Sequence, residues 1–154
     1  MRSAGNTILI HRILFRSMEK TIFSRIADGE LPAHIVWQDD SFIAFLDVLP
    51  IEPGHTIVVP KQAAASLEDL QPAMIGGLLV AAQKIGAAMM KGLAVKGYSL
   101  FLDNKDAANQ HIPHVHIHVV PRAEGDGLGR WPQSAYAEGE AERITARICD
   151  GMSS

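Results

Sequence analysis

Residues 111–120 read HIPHVHIHVV and place four of the chain's seven histidines within eight positions. Successive side chains of a β-strand point to opposite faces of the sheet. If this stretch is a strand, His114, His116 and His118 share one face, and the apolar residues between them share the other. The apolar face can cover a core. The histidine face is therefore predicted to be a surface built for chemistry or for binding.

Three roles are open to this row of imidazoles. A purely structural role is the least favoured, because the alternation with apolar residues sets the histidine face apart. A metal site is the second role, since two histidines two positions apart on a strand can share one zinc ion. Three collinear imidazoles spanning about 13 Å, however, cannot all converge on one ion.

Nucleophilic catalysis at phosphorus is the third role, and we favour it. A neutral imidazole keeps an available lone pair near pH 7, because its ordinary pKa is about 6.5. In this scheme the central histidine, His116, attacks phosphorus. Its neighbours His114 and His118 donate hydrogen bonds to phosphate oxygens, where negative charge must be accommodated in the transition state.

The sequence around this motif predicts an α+β fold with a five-stranded, mainly antiparallel sheet, one long helix and a short C-terminal helix. Glycines at positions 76 and 77 of the long helix predict close packing against the sheet. Ser66 and Asp69 read as a helix start. The predicted elements are a helix over 21–28, strands over 35–37, 42–47 and 55–59, the long helix over 72–92, strands over 98–103 and 114–120, and the last helix over 138–150.

Composition excludes several classes of protein. The chain has 154 residues, with 14 basic and 17 acidic side chains and a net charge of −3, which argues against a nucleic-acid partner. No apolar run approaches the roughly 20 residues needed to cross a bilayer, so no membrane partner is expected. The single cysteine, Cys149, cannot form an internal disulfide. We therefore expect a cytoplasmic protein.

The first 17 residues differ from the rest, because they contain three arginines and no acidic residue. Such a start resembles an organelle transit peptide, and import is the less favoured alternative. We predict a flexible N-terminal extension over 1–17 and a single domain over 18–154.

The motif HVHIHVV at 114–120 resembles the signature of the histidine triad (HIT) family. Further stretches occur in the family's order, namely TIFSRIADGELP (21–32), AFLDV (44–48), PGHTIVVPK (53–61), Asp103-Asn104, Gln110 and VPR (120–122). The resemblance is strongest to the Hint-type or bacterial HIT hydrolase branch. It implies a HIT-like fold that dimerises into one joint sheet. The apolar content of residues 72–93 also predicts a homodimer, through the long helix, strand 98–103 and the C-terminal region.

The activity that the resemblance implies is hydrolysis at the α-phosphorus of purine nucleoside phosphoramidates or related AMP conjugates. The reaction passes through a nucleotidyl-histidine intermediate, with His116 as the nucleophile and no cofactor. A nucleotide-binding scaffold with little turnover, a dinucleoside polyphosphate hydrolase and a histidine-bound metalloprotein remain as alternatives. All three triad histidines and His55 are present, which favours catalysis over a scaffold.

Further site residues follow from the resemblance by position. His55 is the family's fourth histidine, and Asp47 would hold the ribose hydroxyls. Asn104 and Gln110 would contact the phosphate or the bridging group, and His111 takes the place of a hydroxyl that assists the leaving group. The residues around the base would be Ile22, Phe23, Ile26, Phe45 and Val48, although ordinary core packing is favoured for most of these from sequence alone.

Three departures from the family pattern bear on function. Zinc-binding members carry C-x₂-C where this chain has Thr21 and Ser24, and a histidine where it has Ala63, so we expect no metal. Lys105 and Asn109 replace glycines of the phosphate-side loop, so the sequence does not determine which leaving group is preferred. Glutamine at the position of His118 is typical of transferases, so histidine there favours a hydrolase.

Overall fold

The computed structural model describes residues 20–129 and 131–152. The predicted extension over 1–17 lies outside the described residues. The chain divides into two compact units, one ending at Glu124 and the other beginning at Gly125. The prediction of a single domain over 18–154 stays a prediction.

The first unit is built on an open five-stranded sheet, as the sequence predicted. Every pair of neighbouring strands is antiparallel, and the strand order is β1-β2-β3-β5-β4. Among the described residues of this unit are the α-helices α1 (Ile22–Ala27) and α2 (Pro72–Gly92). The strands are β1 (Ile35–Gln38), β2 (Phe42–Leu46), β3 (Thr56–Pro60), β4 (Gly97–Phe101) and β5 (Ile117–Arg122).

Short-range hydrogen bonds set the ends of the early elements. The side chain of Thr21 accepts from the Ser24 N–H and caps α1. Asp39 accepts from the N–H groups of Ser41 and Phe42, which tightens the turn between β1 and β2. Ser66 and Asp69 form the expected capping box, but it opens a single 3₁₀ turn over Leu67–Asp69, and the long helix starts separately at Pro72.

Each face of the sheet has its own apolar cluster. Helix α2 packs on one face through Leu78, Ala82 and Ile85, against Ile117 and Val119 of β5. The second cluster lies on the opposite face, beneath α1, and consists of Phe23, Ile43, Phe45, Ile57 and Val59. The triad histidines lie on the α1 side, so the sheet separates them from the main core.

Close approach to the sheet explains one glycine of the predicted pair. A Cβ at Gly77 would lie 2.7 Å from the ring of Phe42, whereas a Cβ at Gly76 would meet nothing within 4 Å. Further along α2, a Cβ at Gly86 would lie 2.4 Å from the ring of Tyr98. The prediction of close packing is therefore confirmed for Gly77 and wrong for Gly76.

The sequence prediction that no segment is long and apolar enough to cross a bilayer is wrong for helix α2. It has 21 residues, and its most apolar 18-residue window has a mean hydropathy of 1.5. By length and composition alone it could span a membrane, and only part of its surface is covered by the sheet. Leu79 and Val80, which are 54% and 60% exposed, lie on the uncovered side.

Strand β5 starts three residues later than predicted, at Ile117. The Val115 N–H donates to the Ala64 carbonyl oxygen, and the His114 N–H donates to the Ile112 carbonyl oxygen, so neither extends the ladder with β3. Strand β4 ends at Phe101, two residues earlier than predicted. In the second unit the predicted C-terminal helix is α3 (Glu140–Met152).

Candidate active site

His116 is buried at the entrance to β5, and one hydrogen bond assigns its tautomer. Its Nδ1 lies 2.7 Å from the His114 carbonyl oxygen, which can only accept, so Nδ1 carries the proton. Nε2 therefore keeps its lone pair. Burial lowers the pKa of His116, which outweighs the opposing effects of that bond and of Asp103 and Asp47. The ring is neutral near pH 7 and nucleophilic at Nε2.

A chain of hydrogen bonds assigns the opposite tautomer to His118. The Ile51 N–H donates to His55 Nδ1 over 3.1 Å, so His55 carries its proton on Nε2. That Nε2 lies 2.8 Å from His118 Nδ1 and donates to it, which leaves the proton of His118 on Nε2. Burial, together with His116 and His55, lowers the pKa of His118 to about 4.

The rings of His116 and His118 are adjacent, with centroids 4.7 Å apart and an interplanar angle of 77°. One ring offers a lone pair, and its neighbour offers an N–H group. This pairing suits attack on an electrophile that carries anionic oxygens, because one nitrogen attacks and the other donates to an oxygen.

The structure places His114 away from the phosphate role expected for it. Its ring is fully buried, and Nε2 donates to the Pro60 carbonyl oxygen over 2.8 Å. Nδ1 then accepts from the hydroxyls of Thr21 and Ser24, at 3.1 and 3.3 Å. Both ring nitrogens are therefore engaged by the protein. His114 instead anchors α1 and supplies the carbonyl that orients His116.

A cavity of about 730 Å³ opens beside His116 and His118. Its walls are mostly apolar and come from α1, β2 and the loops that follow each of them. All five residues predicted around the base line this cavity: Ile22, Phe23, Ile26, Phe45 and Val48. Phe23 and Phe45 are also buried in the second apolar cluster, so core packing and cavity lining coincide for them. The volume lies within the range of small-molecule sites, about 300–1,000 Å³.

Asp47 lines the cavity, and its carboxylate already makes contacts within the protein. One oxygen accepts from the Leu49 N–H, and the other lies 3.7 Å from His55 Nδ1. Asp47, His55 and His118 offer ligand atoms within 4.8 Å of one another and could in principle hold a metal ion. The two histidine nitrogens, however, are 2.8 Å apart, a hydrogen-bond separation, whereas ligands of one tetrahedral zinc lie about 3.3 Å apart.

Asn104 and Gln110 lie outside the cavity lining, contrary to the role expected for them. Asn104 accepts from the Leu67 N–H and donates to Glu68, so it fastens its loop to the 3₁₀ turn. Gln110 is buried, accepts from the Lys105 N–H and donates to the Ala65 carbonyl oxygen. Both side chains therefore hold the shape of the loop. His111 does line the cavity, and its expected role towards the leaving group stays a prediction.

Two polar cavity residues, Asp103 and Asn109, were absent from the predicted site. Asp103 follows the last residue of β4 by two positions, and that residue, Phe101, pairs with His118. The alternation of side chains along β4 could have indicated that Asp103 faces the same side as His118. Asn109 has a φ of +68°, a backbone conformation that only the folded loop reveals.

Fold and site together define a class of protein: an α+β domain with a histidine pair of complementary tautomers beside a cavity of small-molecule size. The HIT domain family profile matches residues 28–125. An uncharacterised HIT-like protein of Methanocaldococcus jannaschii is 37% identical over 106 residues, covering 69% of this chain and 81% of the relative. An adenylylsulfatase of Arabidopsis thaliana is 33% identical over 107 residues, covering 70% of this chain and 54% of the relative. The chain belongs to the HIT family.

Solved structures agree with this assignment. A histidine triad nucleotide-binding protein from Candida albicans superposes with a TM-score of 0.75 at 25% identity, covering 87% of this chain and 98% of the other. A HIT family hydrolase from Legionella pneumophila gives 0.62 at 30% identity, with coverages of 75% and 100%. A zinc-bound histidine triad protein from Mycobacterium smegmatis gives 0.69 at 32% identity, with coverages of 86% and 95%.

Proposed function

We propose that this protein hydrolyses purine nucleoside phosphoramidates and related AMP conjugates at the α-phosphorus, with His116 as the nucleophile. The observation that carries the proposal is the pair of complementary tautomers, a lone pair on His116 Nε2 beside an N–H on His118 Nε2. Relatives named as a hydrolase, an adenylylsulfatase and a nucleotide-binding protein are consistent with this chemistry.

The reaction proceeds in two displacements. His116 Nε2 forms a bond to phosphorus while the bond to the leaving group breaks, and the leaving amine takes up a proton from solvent. The His118 Nε2–H donates to a non-bridging oxygen as charge builds there. Water then attacks phosphorus and gives one proton to solvent, the N–P bond breaks, and AMP and neutral His116 are released.

The apolar part of the cavity takes the nucleoside in this proposal. Ile22 and Ile26 of α1 present apolar side chains on one side, and Val48 does so after β2. Asp47 lines the same cavity, and its carboxylate can accept from ribose hydroxyls. The base thus binds by apolar contact, and phosphorus is brought to His116.

Intact-mass spectrometry after a rapid quench that avoids acid tests the covalent step. With an AMP phosphoramidate, the wild-type protein should gain one adenylyl group and His116→Asn should gain none. The kcat of His116→Asn should fall by several orders of magnitude while AMP still binds, because only the covalent route is lost. His34→Asn is the matched control, since His34 is exposed and outside the cavity lining. Near-normal turnover by His116→Asn would refute the mechanism.

We also propose that the protein is a homodimer joined through α2 and β4. Strand β4 lies at one edge of the five-stranded sheet, and an edge strand can pair with the edge strand of a second sheet. Next to it, Leu79 of α2 and Leu100 of β4 are 54% and 38% exposed and line an apolar cavity of about 230 Å³. A second copy would cover this apolar face and join the two sheets into one.

Light scattering at micromolar concentration tests the dimer. The wild-type protein should have twice the mass of one chain, and Leu79→Glu should shift it to the monomer by placing a charge in the interface. Val36→Glu is the control, because Val36 is 46% exposed on the opposite edge strand, β1. A monomeric wild-type protein would refute this proposal.

A further inference from the structure

Asp103 stands beside the reacting histidines without a role in the scheme above. It is half-buried and lines the same cavity as His116 and His118. It comes two residues after Phe101, whose strand partner is His118, so the alternation of side chains places Asp103 on the same face of the sheet as His118. Its charge acts on both rings, since it opposes the lowering of their pKa values.

The charges around the cavity are one-sided. Asp47 and Asp103 are the carboxylates of the lining, and within the described part of the chain no lysine or arginine joins them there. Lys105 follows two positions after Asp103, but its Nζ lies 3.6 Å from Glu68 Oε2 and both side chains are exposed. The triad histidines are neutral near pH 7. The polar end of this site is therefore negative, although it must admit a phosphate.

We propose that Asp103 is a specificity-determining residue that excludes anionic leaving groups and favours uncharged or cationic amines. This inference rests on the proposed function and names the substrate class within it. Every AMP conjugate carries the same α-phosphate, so the effect of Asp103 on that group cancels between substrates. What differs is the leaving group, and an added negative charge beside a carboxylate in a partly dehydrated site is disfavoured.

Steady-state kinetics with three AMP conjugates test the inference. The leaving groups are morpholine (uncharged), lysine methyl ester joined through its α-amine so that the free ε-ammonium is cationic, and the ATP that diadenosine tetraphosphate releases (anionic). All are assayed with EDTA at low ionic strength and pH 8. In Asp103→Asn, the ratio of kcat/KM for each amine conjugate over the polyphosphate should fall about tenfold or more. Asp106→Asn, an exposed carboxylate of the same loop, should change the ratio less than about twofold. An unchanged ratio in Asp103→Asn would overturn the inference.

Binding of two stable nucleotides separates this inference from the proposed function. The methyl phosphodiester of AMP carries one negative charge, and ADP adds anionic charge on the leaving-group side. Calorimetry should show that the wild-type protein binds the methyl ester more tightly than ADP. In Asp103→Asn the ratio of the two dissociation constants should be about tenfold closer to one. If the wild-type protein hydrolyses none of the conjugates, the proposed function fails and this ratio still decides the role of Asp103. An equal ratio in both proteins, or no nucleotide binding at all, would refute the role.

Discussion

At the scale of single residues, burial and one hydrogen bond together prepare His116. Its bond to the His114 carbonyl oxygen places the proton on Nδ1, and removal from water keeps the ring neutral. Neither effect would suffice alone. A neutral imidazole with the other tautomer would direct its N–H at phosphorus, and a correctly oriented but charged ring would have no lone pair.

At acidic pH, kcat/KM should therefore fall with a midpoint below the ordinary histidine pKa of about 6.5. His116 attacks only when neutral, and its pKa is lowered by burial, so kcat/KM should stay level as pH falls to 6.5 and decline below that. Because the Asp103 carboxylate raises the pKa of His116, Asp103→Asn should move the midpoint to still lower pH. Initial rates between pH 4 and 8 measure both. A midpoint above 6.5 would contradict the assigned environment.

The side chains of Thr21, Ser24 and His114 form a triangle with the dimensions of a zinc site. Two of its corners are hydroxyls and not thiolates. The hydroxyl oxygens lie 3.1 Å apart and at 3.1 and 3.3 Å from His114 Nδ1, close to the roughly 3.3 Å between ligands of a tetrahedral zinc. The bond from His114 Nε2 to the Pro60 carbonyl oxygen is the outer contact that metal-binding histidines usually make. Hydroxyls, however, bind zinc far more weakly than thiolates.

We accordingly expect untagged protein to hold well below one zinc per chain. Replacing both hydroxyls, as Thr21→Cys with Ser24→Cys, should raise zinc content towards one per chain, because two thiolates then join His114. Elemental analysis after gel filtration measures this. Thr21→Val with Ser24→Ala is the control that removes the hydroxyls without adding ligands. One zinc per chain in the wild-type protein would revive a metal-binding role.

At the scale of elements, the packing of α2 on the sheet depends on missing side chains. Gly77 lets the ring of Phe42 approach the helix backbone, and Gly86 does the same for Tyr98. Each glycine weakens the helix by about 0.5–1 kcal/mol relative to alanine, so close packing must offset that cost. Gly76, one residue earlier, meets no such neighbour.

The two adjacent glycines give opposite predictions for the same substitution. Gly77→Ala should lower the free energy of unfolding by about 1–3 kcal/mol, because the new methyl lies 2.7 Å from a ring that is itself buried. Gly76→Ala should raise it by about 0.5–1 kcal/mol, because the helix gains and nothing is crowded. Urea denaturation of both variants measures the difference. Equal effects would mean that Phe42 can move aside.

At the scale of the whole molecule, the site makes the fold sensitive to acid. Burial lowers the pKa of four histidines of the site, namely His55, His114, His116 and His118. Below pH 6.5 these histidines therefore bind more protons in the unfolded chain than in the native protein. The free energy of unfolding therefore decreases as pH falls, by up to about 1.4 kcal/mol per pH unit for each such histidine.

Urea denaturation at pH 7.5, 6.5 and 5.5 should reveal this loss. The free energy of unfolding should fall by more than about 1 kcal/mol between pH 6.5 and 5.5, and by much less between 7.5 and 6.5. In His118→Asn the fall should be smaller, because one of these groups is removed. Stability that stayed level down to pH 5.5 would show that the histidines are more hydrated than their positions indicate.

The sequence by itself determined what depends on local periodicity. Alternation along 114–120 and the helical spacing over 72–92 indicated the α+β sheet and the core helix, and both are observed. The same alternation singled out His116. The predictions of the fold succeeded because each rests on neighbours a few positions apart, whereas the role of His116 stays a prediction.

Only the tertiary structure decided what depends on distant contacts. The tautomer of His118 comes from His55, 63 positions away, and the inward turn of His114 comes from Thr21 and Ser24, about 90 positions away. The internal bonds of Asn104 and the presence of Asp103 in the cavity likewise arise where separate segments meet. A ring nitrogen's proton follows its hydrogen-bond partner, and in a folded chain that partner is chosen by packing and not by sequence spacing.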